Sequence, residues 1–180
     1  MRPIFLVGYM GSGKSTLGVE LGKYLGSRFY DLDNYIEGRY RKSVKQIFAE
    51  YGEEGFRDRE RRLLQEVSDF EDIIIACGGG TPCFFDNMDV MSTKGITVWL
   101  KPSRECLVHR LSIPTAKAKR PLIASLSDEE LEAFICDALD KREPFYSKAN
   151  ITFDSGHLES KHDLANSTRE LGEILRKYIH

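Results

Sequence analysis

No part of the sequence approaches the run of about eighteen apolar residues that a membrane-spanning helix requires. The apolar run near the N-terminus, Ile4-Phe5-Leu6-Val7, is also too short for a signal peptide. Neither sign of charge dominates. Twenty-six Lys and Arg stand against 28 Asp and Glu, a net charge of −2, so no global field gathers nucleic acid or an anionic membrane. The four cysteines, Cys77, Cys83, Cys106 and Cys136, form no Cys-x-x-Cys pair, and no histidine stands at metal-ligand spacing to them. Reduced, mostly buried thiols are therefore expected. Internal repeats, low-complexity tracts and linkers are all missing. What remains is an ordinary balance, 41% hydrophobic and 30% charged over 180 residues. That suits one cytoplasmic domain, residues 1–180, with one sizeable core. A monomer is expected.

Five short runs read as buried parallel strands: Ile4–Val7, Phe29–Leu32, Ile73–Ala76, Ile96–Leu100 and Ile151–Phe153. Each is rich in β-branched or aromatic residues. Helical patterns separate them, among them Leu17/Leu21/Leu25 and Leu164/Thr168/Leu171/Leu175/Tyr178. The alternation predicts a three-layer α/β/α fold around a five-stranded parallel sheet, with ligands at the strands' carboxyl ends. Two stretches break it. Residues 34–68 carry charged helical patterns and no strand, which suggests an inserted helical subdomain. Residues 112–125 hold two prolines and three basic residues, a loop outside the core that is either a solvated connector or a mobile lid.

Gly8-Tyr9-Met10-Gly11-Ser12-Gly13-Lys14-Ser15 matches the phosphate-loop pattern G-x-x-x-x-G-K-[ST] in full, directly after an apolar run and directly before a helical one. Glycines let successive N–H groups converge on phosphate, and the helix that follows aims its positive end at the same anion. Lys14 adds a mobile charge and Ser15 a hydroxyl able to ligate Mg²⁺. The loop alone serves kinases, GTPases and motor ATPases alike. No Asn/Thr-Lys-x-Asp guanine signature is present, and the chain is short for a mechanochemical ATPase, so a small-molecule kinase is favoured.

The remaining candidates each carry two readings. Asp31 and Asp33 end the second strand, where residues two apart share a side and reach the catalytic edge together. Otherwise Asp33 or Asn34 is a helix N-cap. Arg57 and Glu60, three apart on a helix, are either a surface ion pair or a guanidinium held ready for a carboxylate. Gly78-Gly79-Gly80 is a tight turn or a place where a ligand approaches the backbone. The third strand lacks the usual Asp of a second nucleotide motif, so Asp31 must supply any metal-supporting carboxylate. Arg120 is a surface residue of the loop or an internal arginine finger. Arg142, beside Pro144, which fixes the exit of its helix, either serves the negative helix end or binds a ligand.

In their order these segments resemble the shikimate kinases: Gly8–Thr16, Asp31-x-Asp33, Ile47-Phe48, Phe56-Arg57-x-x-Glu60, Gly78-Gly79-Gly80, Arg120-Pro121-Leu122 and Arg142-x-Pro144-x-Tyr146. The resemblance covers nearly the whole chain. It implies phosphoryl transfer from ATP to the 3-hydroxyl of shikimate, a step toward the aromatic amino acids, with Mg²⁺ as cofactor. It also implies a nucleoside-monophosphate-kinase-like fold with strand order 2-3-1-4-5, a substrate-binding insertion over about 33–61 and a lid over about 112–125. By the same resemblance, Gly11, Ser12, Gly13, Lys14, Ser15, Thr16, Arg110 and Arg120 bind the nucleotide. Ser15 and, through water, Asp31 serve the metal. Asp33, Arg57, Glu60, Gly79, Gly80 and Arg142 bind the acceptor, and Phe48 and Phe56 wall its pocket. Lys14, Asp33 and Arg120 are implied as catalytic. Two stretches depart from the family pattern: Ser112–Lys119 is slightly long, and Ser155-Gly156-His157-Leu158 lacks the Arg and Pro of the adenine loop. A gluconate kinase, and a sensor domain that holds ATP without turnover, are the competing readings. The Asp-x-Asp, Phe-Arg-x-x-Glu and triple-glycine set speaks against the first, and the joint presence of Lys14, Asp33 and Arg120 against the second.

Overall fold

Ile4–Val7 has no polar side chain, and all four residues are fully buried as strand β1. Around it the computed structural model, which describes residues 1–179, places β2 (Arg28–Asp31), β3 (Ile73–Ala76), β4 (Ile96–Leu100) and β5 (Ile151–Phe153). Every pairing is parallel, in the order β2-β3-β1-β4-β5 that the family resemblance implied. Alternation along the strands divides the core in two. Ile4, Leu6, Ile74, Val98 and Leu100 face α1 (Lys14–Leu25) and α8 (Lys161–Ile179), while Phe5, Val7, Ile73, Ile75 and Trp99 face the remaining helices. A sheet covered on both faces explains why its strands read as unbroken apolar runs.

The helices on the second face are α2 (Leu32–Tyr40), α3 (Val44–Val67), α4 (Asn87–Lys94), α5 (Arg104–Ser112), α6 (Pro114–Ala118) and α7 (Asp128–Tyr146). Ser43 and Gln46 close a capping box at the start of α3, and Ser127 and Glu130 close another at α7. Gly52 breaks α3 with φ 68°, a left-handed value that a side chain would resist. Phe48 and Phe56, on either side of the break, stack at 4.4 Å between ring centroids. Beyond it, Leu63, Leu64 and Val67 are buried in the core. The second half of this inserted segment is therefore also a supporting helix of the sheet.

Three expectations need correction. The second strand ends at Asp31, and Leu32 already belongs to α2, because Asp31 caps that helix. The segment Lys141–Tyr146 does end α7, but Pro144 does not fix the exit, since the helix runs through it to Tyr146. The stretch 112–125 does not lie wholly outside the core: it contains α6, and Ile123 is fully buried against the second-face cluster. Leu122 beside it is 69% exposed, so one residue pins the segment. Ile123→Ala should cost about 2–5 kcal/mol of unfolding free energy. Amide exchange should accelerate over residues 114–122 before β1 is affected. Denaturant melts and exchange rates equal to wild type would show that Ile123 is no anchor.

Candidate active site

The segments that leave the carboxyl ends of β1, β3 and β2, strands that are consecutive in the sheet, line one cavity of about 590 Å³. The loop after β1 is the phosphate loop. Gly13, left-handed at φ 95°, is the N-cap of α1, and no side chain caps that helix, so its first N–H groups face the cavity unclaimed by a side chain. Gly11, Gly13, Lys14, Ser15 and Thr16 line the space. Ser12 does not. It is fully buried, its N–H donating to the Tyr9 carbonyl at 3.2 Å and its carbonyl accepting from the Ser155 hydroxyl at 2.7 Å. Lys14 Nζ donates to the carbonyls of Gly8 at 2.8 Å and Tyr9 at 2.9 Å. Loss of hydration lowers its pKa to about 8, against the pull of Cys77, Asp33 and Asp31.

Asp31 closes β2 and joins two helices. Its Oδ1 accepts from the N–H groups of Asp33 at 3.1 Å and Asn34 at 3.3 Å, and its Oδ2 accepts from the Ser15 hydroxyl at 3.1 Å. The capping role expected of Asp33 or Asn34 thus falls to Asp31. Asp33 reaches the cavity from the first turn of α2, one element later than expected. Its Oδ1 lies close to Gly78, 3.3 Å from where a Cβ there would stand. Burial pushes the Asp33 carboxyl up to about 6, with Asp31 and Glu60 adding to the rise and Lys14 and Arg57 opposing it.

The residues expected on the acceptor side adjoin this cavity. Glu60 on α3 is 1% exposed, which rules out a surface ion pair. It accepts from Arg57 Nη1 at 2.9 Å and from the Thr81 hydroxyl at 2.6 Å. The Phe84 ring centroid lies 4.0 Å from the Arg57 guanidinium carbon. Gly80 lies directly beneath it: a Cβ there would stand 2.6 Å from Arg57 Nη2 and would push the guanidinium from its place. From α7, Arg142 reaches Gly79 and the Tyr9 ring instead of serving the helix end, and among the described residues it has no carboxylate within ion-pair distance. The Tyr146 hydroxyl donates to the Gly79 carbonyl at 2.5 Å and so holds the glycine turn in place.

Two other arginines line the cavity. Arg120 donates to the Ala116 carbonyl at 2.5 Å within its own segment. Arg110 is committed elsewhere, donating to the carbonyls of Gly11 at 3.2 Å and Ser155 at 2.8 Å and pairing with Glu159 at 2.8 Å. Sequence reasoning missed Leu158 and Glu159, which line the cavity where the adenine-loop pattern departs, and a Cβ on Gly13 would stand 2.3 Å from Leu158 Cδ1. Thr81 and Phe84 were also missed. Among the described residues no group of three or more His, Cys, Asp and Glu side chains could hold a metal. Mg²⁺ needs no such cage: a hydroxyl beside one carboxylate, as Ser15 and Asp31 stand, suits an ion that keeps waters and binds substrate phosphates.

A phosphate loop at an uncapped helix, an Mg²⁺-compatible pair and a carboxyl facing them, with half-buried arginines next door, define a phosphate-loop kinase of small molecules. Residues 10–173 match the family described as shikimate kinase. A shikimate kinase of Parabacteroides distasonis is 54% identical over 97% of this chain and 100% of its own length. The crystal structure of shikimate kinase from Bacteroides thetaiotaomicron superposes with a TM-score of 0.92 at 46% identity, covering 97% of this chain and 98% of that one. The Acinetobacter baumannii enzyme in complex with shikimate gives 0.82 at 30% identity, covering 100% and 96%. The chain belongs to the shikimate kinase family.

Asp33 makes the first test. Its carboxyl titrates at about 6 in the folded chain against an ordinary 3.8, so folding favours the protonated form. The penalty is absent at low pH, grows as pH rises between those two values and is complete above about 6. Asp33→Asn should therefore raise stability at pH 8 by up to about 3 kcal/mol and change it little near pH 4. The same variant should lose about 10²–10⁴-fold in kcat at pH 8. A destabilised Asp33→Asn at pH 8, or an unchanged kcat, would contradict this account of the carboxyl.

Proposed function

We propose that this site transfers the γ-phosphate of ATP to the 3-hydroxyl of shikimate, giving ADP and shikimate 3-phosphate. The observation that carries the assignment of roles is one continuous wall. The cavity is lined by Lys14 and Ser15 at one side and by Asp33 and Gly79 at the other, and Gly79 and Gly80 abut the two arginines of the acceptor side.

The uncapped N–H groups of α1 and the Lys14 ammonium bind the phosphates of ATP. Lys14 leaves the Gly8 and Tyr9 carbonyls to do so, and the anion it meets raises its pKa from about 8 and keeps it charged. Mg²⁺ would be held by Ser15 and, through water, by Asp31, and it supplies neutralisation of charge on the transferring group. Asp33 accepts the proton of the acceptor hydroxyl or orients it. In a loose, metaphosphate-like transition state the orientation carries much of the effect. Arg57 and Arg142 grip the ring carboxylate, remote from the reacting oxygen. Phe48 and Phe56 wall the ring. Arg120 moves from the Ala116 carbonyl onto the phosphates when the segment 112–125 closes, excluding water that would otherwise compete as acceptor.

A coupled ADP-release assay with shikimate, gluconate and no acceptor tests the reaction. Shikimate alone should drive turnover, and equal rates in all three would sink the assignment. Arg57→Lys tests the carboxylate grip. It keeps the charge and loses the planar fork, so kcat/KM for shikimate should fall by about 1.5–3 kcal/mol while the Kd for ATP holds. Equal damage to both, or none to the first, would refute it.

A further inference from the structure

The Arg57 guanidinium is fixed from outside its own helix by two residues that follow the glycine turn. Thr81 is fully buried, opens the 3₁₀ turn Thr81–Cys83, and gives its hydroxyl proton to Glu60 Oε1 at 2.6 Å. The other oxygen of that carboxylate holds Arg57 Nη1 at 2.9 Å. Thr81 is itself pinned, since its carbonyl accepts from the buried Asn87 side chain at 2.9 Å. Phe84 lies flat enough against the guanidinium to bring its ring centroid within 4.0 Å of Cζ. Phe56, on the same helix as Arg57, is farther away at 5.2 Å.

These contacts have different physical effects. An ionised carboxylate that is 1% exposed needs donors on both oxygens, and without the Thr81 hydroxyl its only remaining partner is the arginine itself. Glu60 would then be free to swing about the Arg57 contact. The Phe84 face restricts the guanidinium in the remaining direction, by contact and by the ring quadrupole. A planar fork grips a planar carboxylate only when its plane is set beforehand.

We propose that Thr81, acting through Glu60, and Phe84, acting directly, are positioning residues that set the plane of Arg57 and thereby the affinity for the acceptor's carboxylate. The proposal rests on the reading of Arg57 as part of the carboxylate grip. It assigns neither residue to the phosphoryl transfer itself, so its signature is a change in shikimate KM without a matching change in kcat.

The test measures kcat, shikimate KM and the Kd for ATP in Thr81→Val, Thr81→Ser and Phe84→Leu, each alone and combined with Arg57→Ala. Thr81→Val keeps the shape and removes the donor, and should raise KM about tenfold. Thr81→Ser keeps the donor and should stay within about twofold of wild type on the same argument. Phe84→Leu should raise KM about fivefold. In all three, kcat and ATP affinity should hold, and on the Arg57→Ala background the KM effects should vanish. Unchanged KM in Thr81→Val and Phe84→Leu, parallel losses in kcat and ATP binding, or effects that persist without Arg57 would overturn the proposal. Should Thr81→Val fail to fold, Phe84→Leu at its half-buried position decides by the same readings. An Arg57→Ala variant with normal KM would instead overturn the carboxylate grip, and this inference with it.

Discussion

The Asp31 carboxylate holds the two halves of the site in one frame. One of its oxygens caps α2 and so fixes where Asp33 stands, and the other takes the Ser15 hydroxyl from the first turn of α1. Strand β2 is at the edge of the sheet and does not pair with β1; β3 lies between them. The side chain reaching from β2 to α1 adds a polar tie to the packing of α1 on Phe29 and of Arg142 on the Tyr9 ring. A cap is worth about 1 kcal/mol, which is small, but this one also ties the phosphate loop's helix to the turn that carries Asp33.

Charge crowding follows from that frame. Burial is the largest influence on Asp33; Asp31 and Glu60 add to it, and Lys14 and Arg57 oppose it. The acid is held up to about 6, and loss of hydration lowers the Lys14 ammonium to about 8 although the carboxylates pull it the other way. Both shifts lean toward the neutral form, and an anion beside Lys14 or a hydroxyl donor beside Asp33 opposes them. The buried Arg57–Glu60 pair follows the same logic. Such pairs contribute little net stability against an apolar replacement, whereas removing one partner is costly. The proposed carboxylate grip gives this pair a use that net stability does not.

What was legible in the sequence was local. The five apolar runs became five strands, and the phosphate loop became the turn between β1 and α1, because a contiguous pattern determines each of them. The strand order came with the family resemblance, since no contiguous pattern encodes which strands are neighbours. The pair Asp31 and Asp33 was placed at the catalytic edge, but by an argument from strand alternation that does not hold, since the chain turns helical at Leu32. From residue types alone, Arg57 and Glu60 could not be told from a surface ion pair. What distinguishes them is the burial of Glu60, which depends on how α3 packs on the sheet. Thr81 and Phe84 were illegible for the same reason: Thr81 meets Glu60 across 21 residues of sequence. The pinning of the segment 112–125 by Ile123 was hidden because one isoleucine among prolines and lysines carries no periodic signal.

The division of labour between sheet and helices bears on how such a site can vary. The phosphate loop, Asp31 and the glycine turn sit at strand ends, in backbone fixed by ladder pairing. The groups proposed to recognise the acceptor come from helices α2, α3 and α7 and from the short turn after Gly80. Those helices pack by side chains alone, and α3 is broken at Gly52, so Phe48 can shift relative to Arg57 without disturbing a strand. Changes in acceptor recognition can therefore accumulate on the helices while the phosphate side stays rigid. The residues that connect the two regions, Thr81 in the turn and Glu60 on the helix, limit how far the helices can move before the arginine loses its plane.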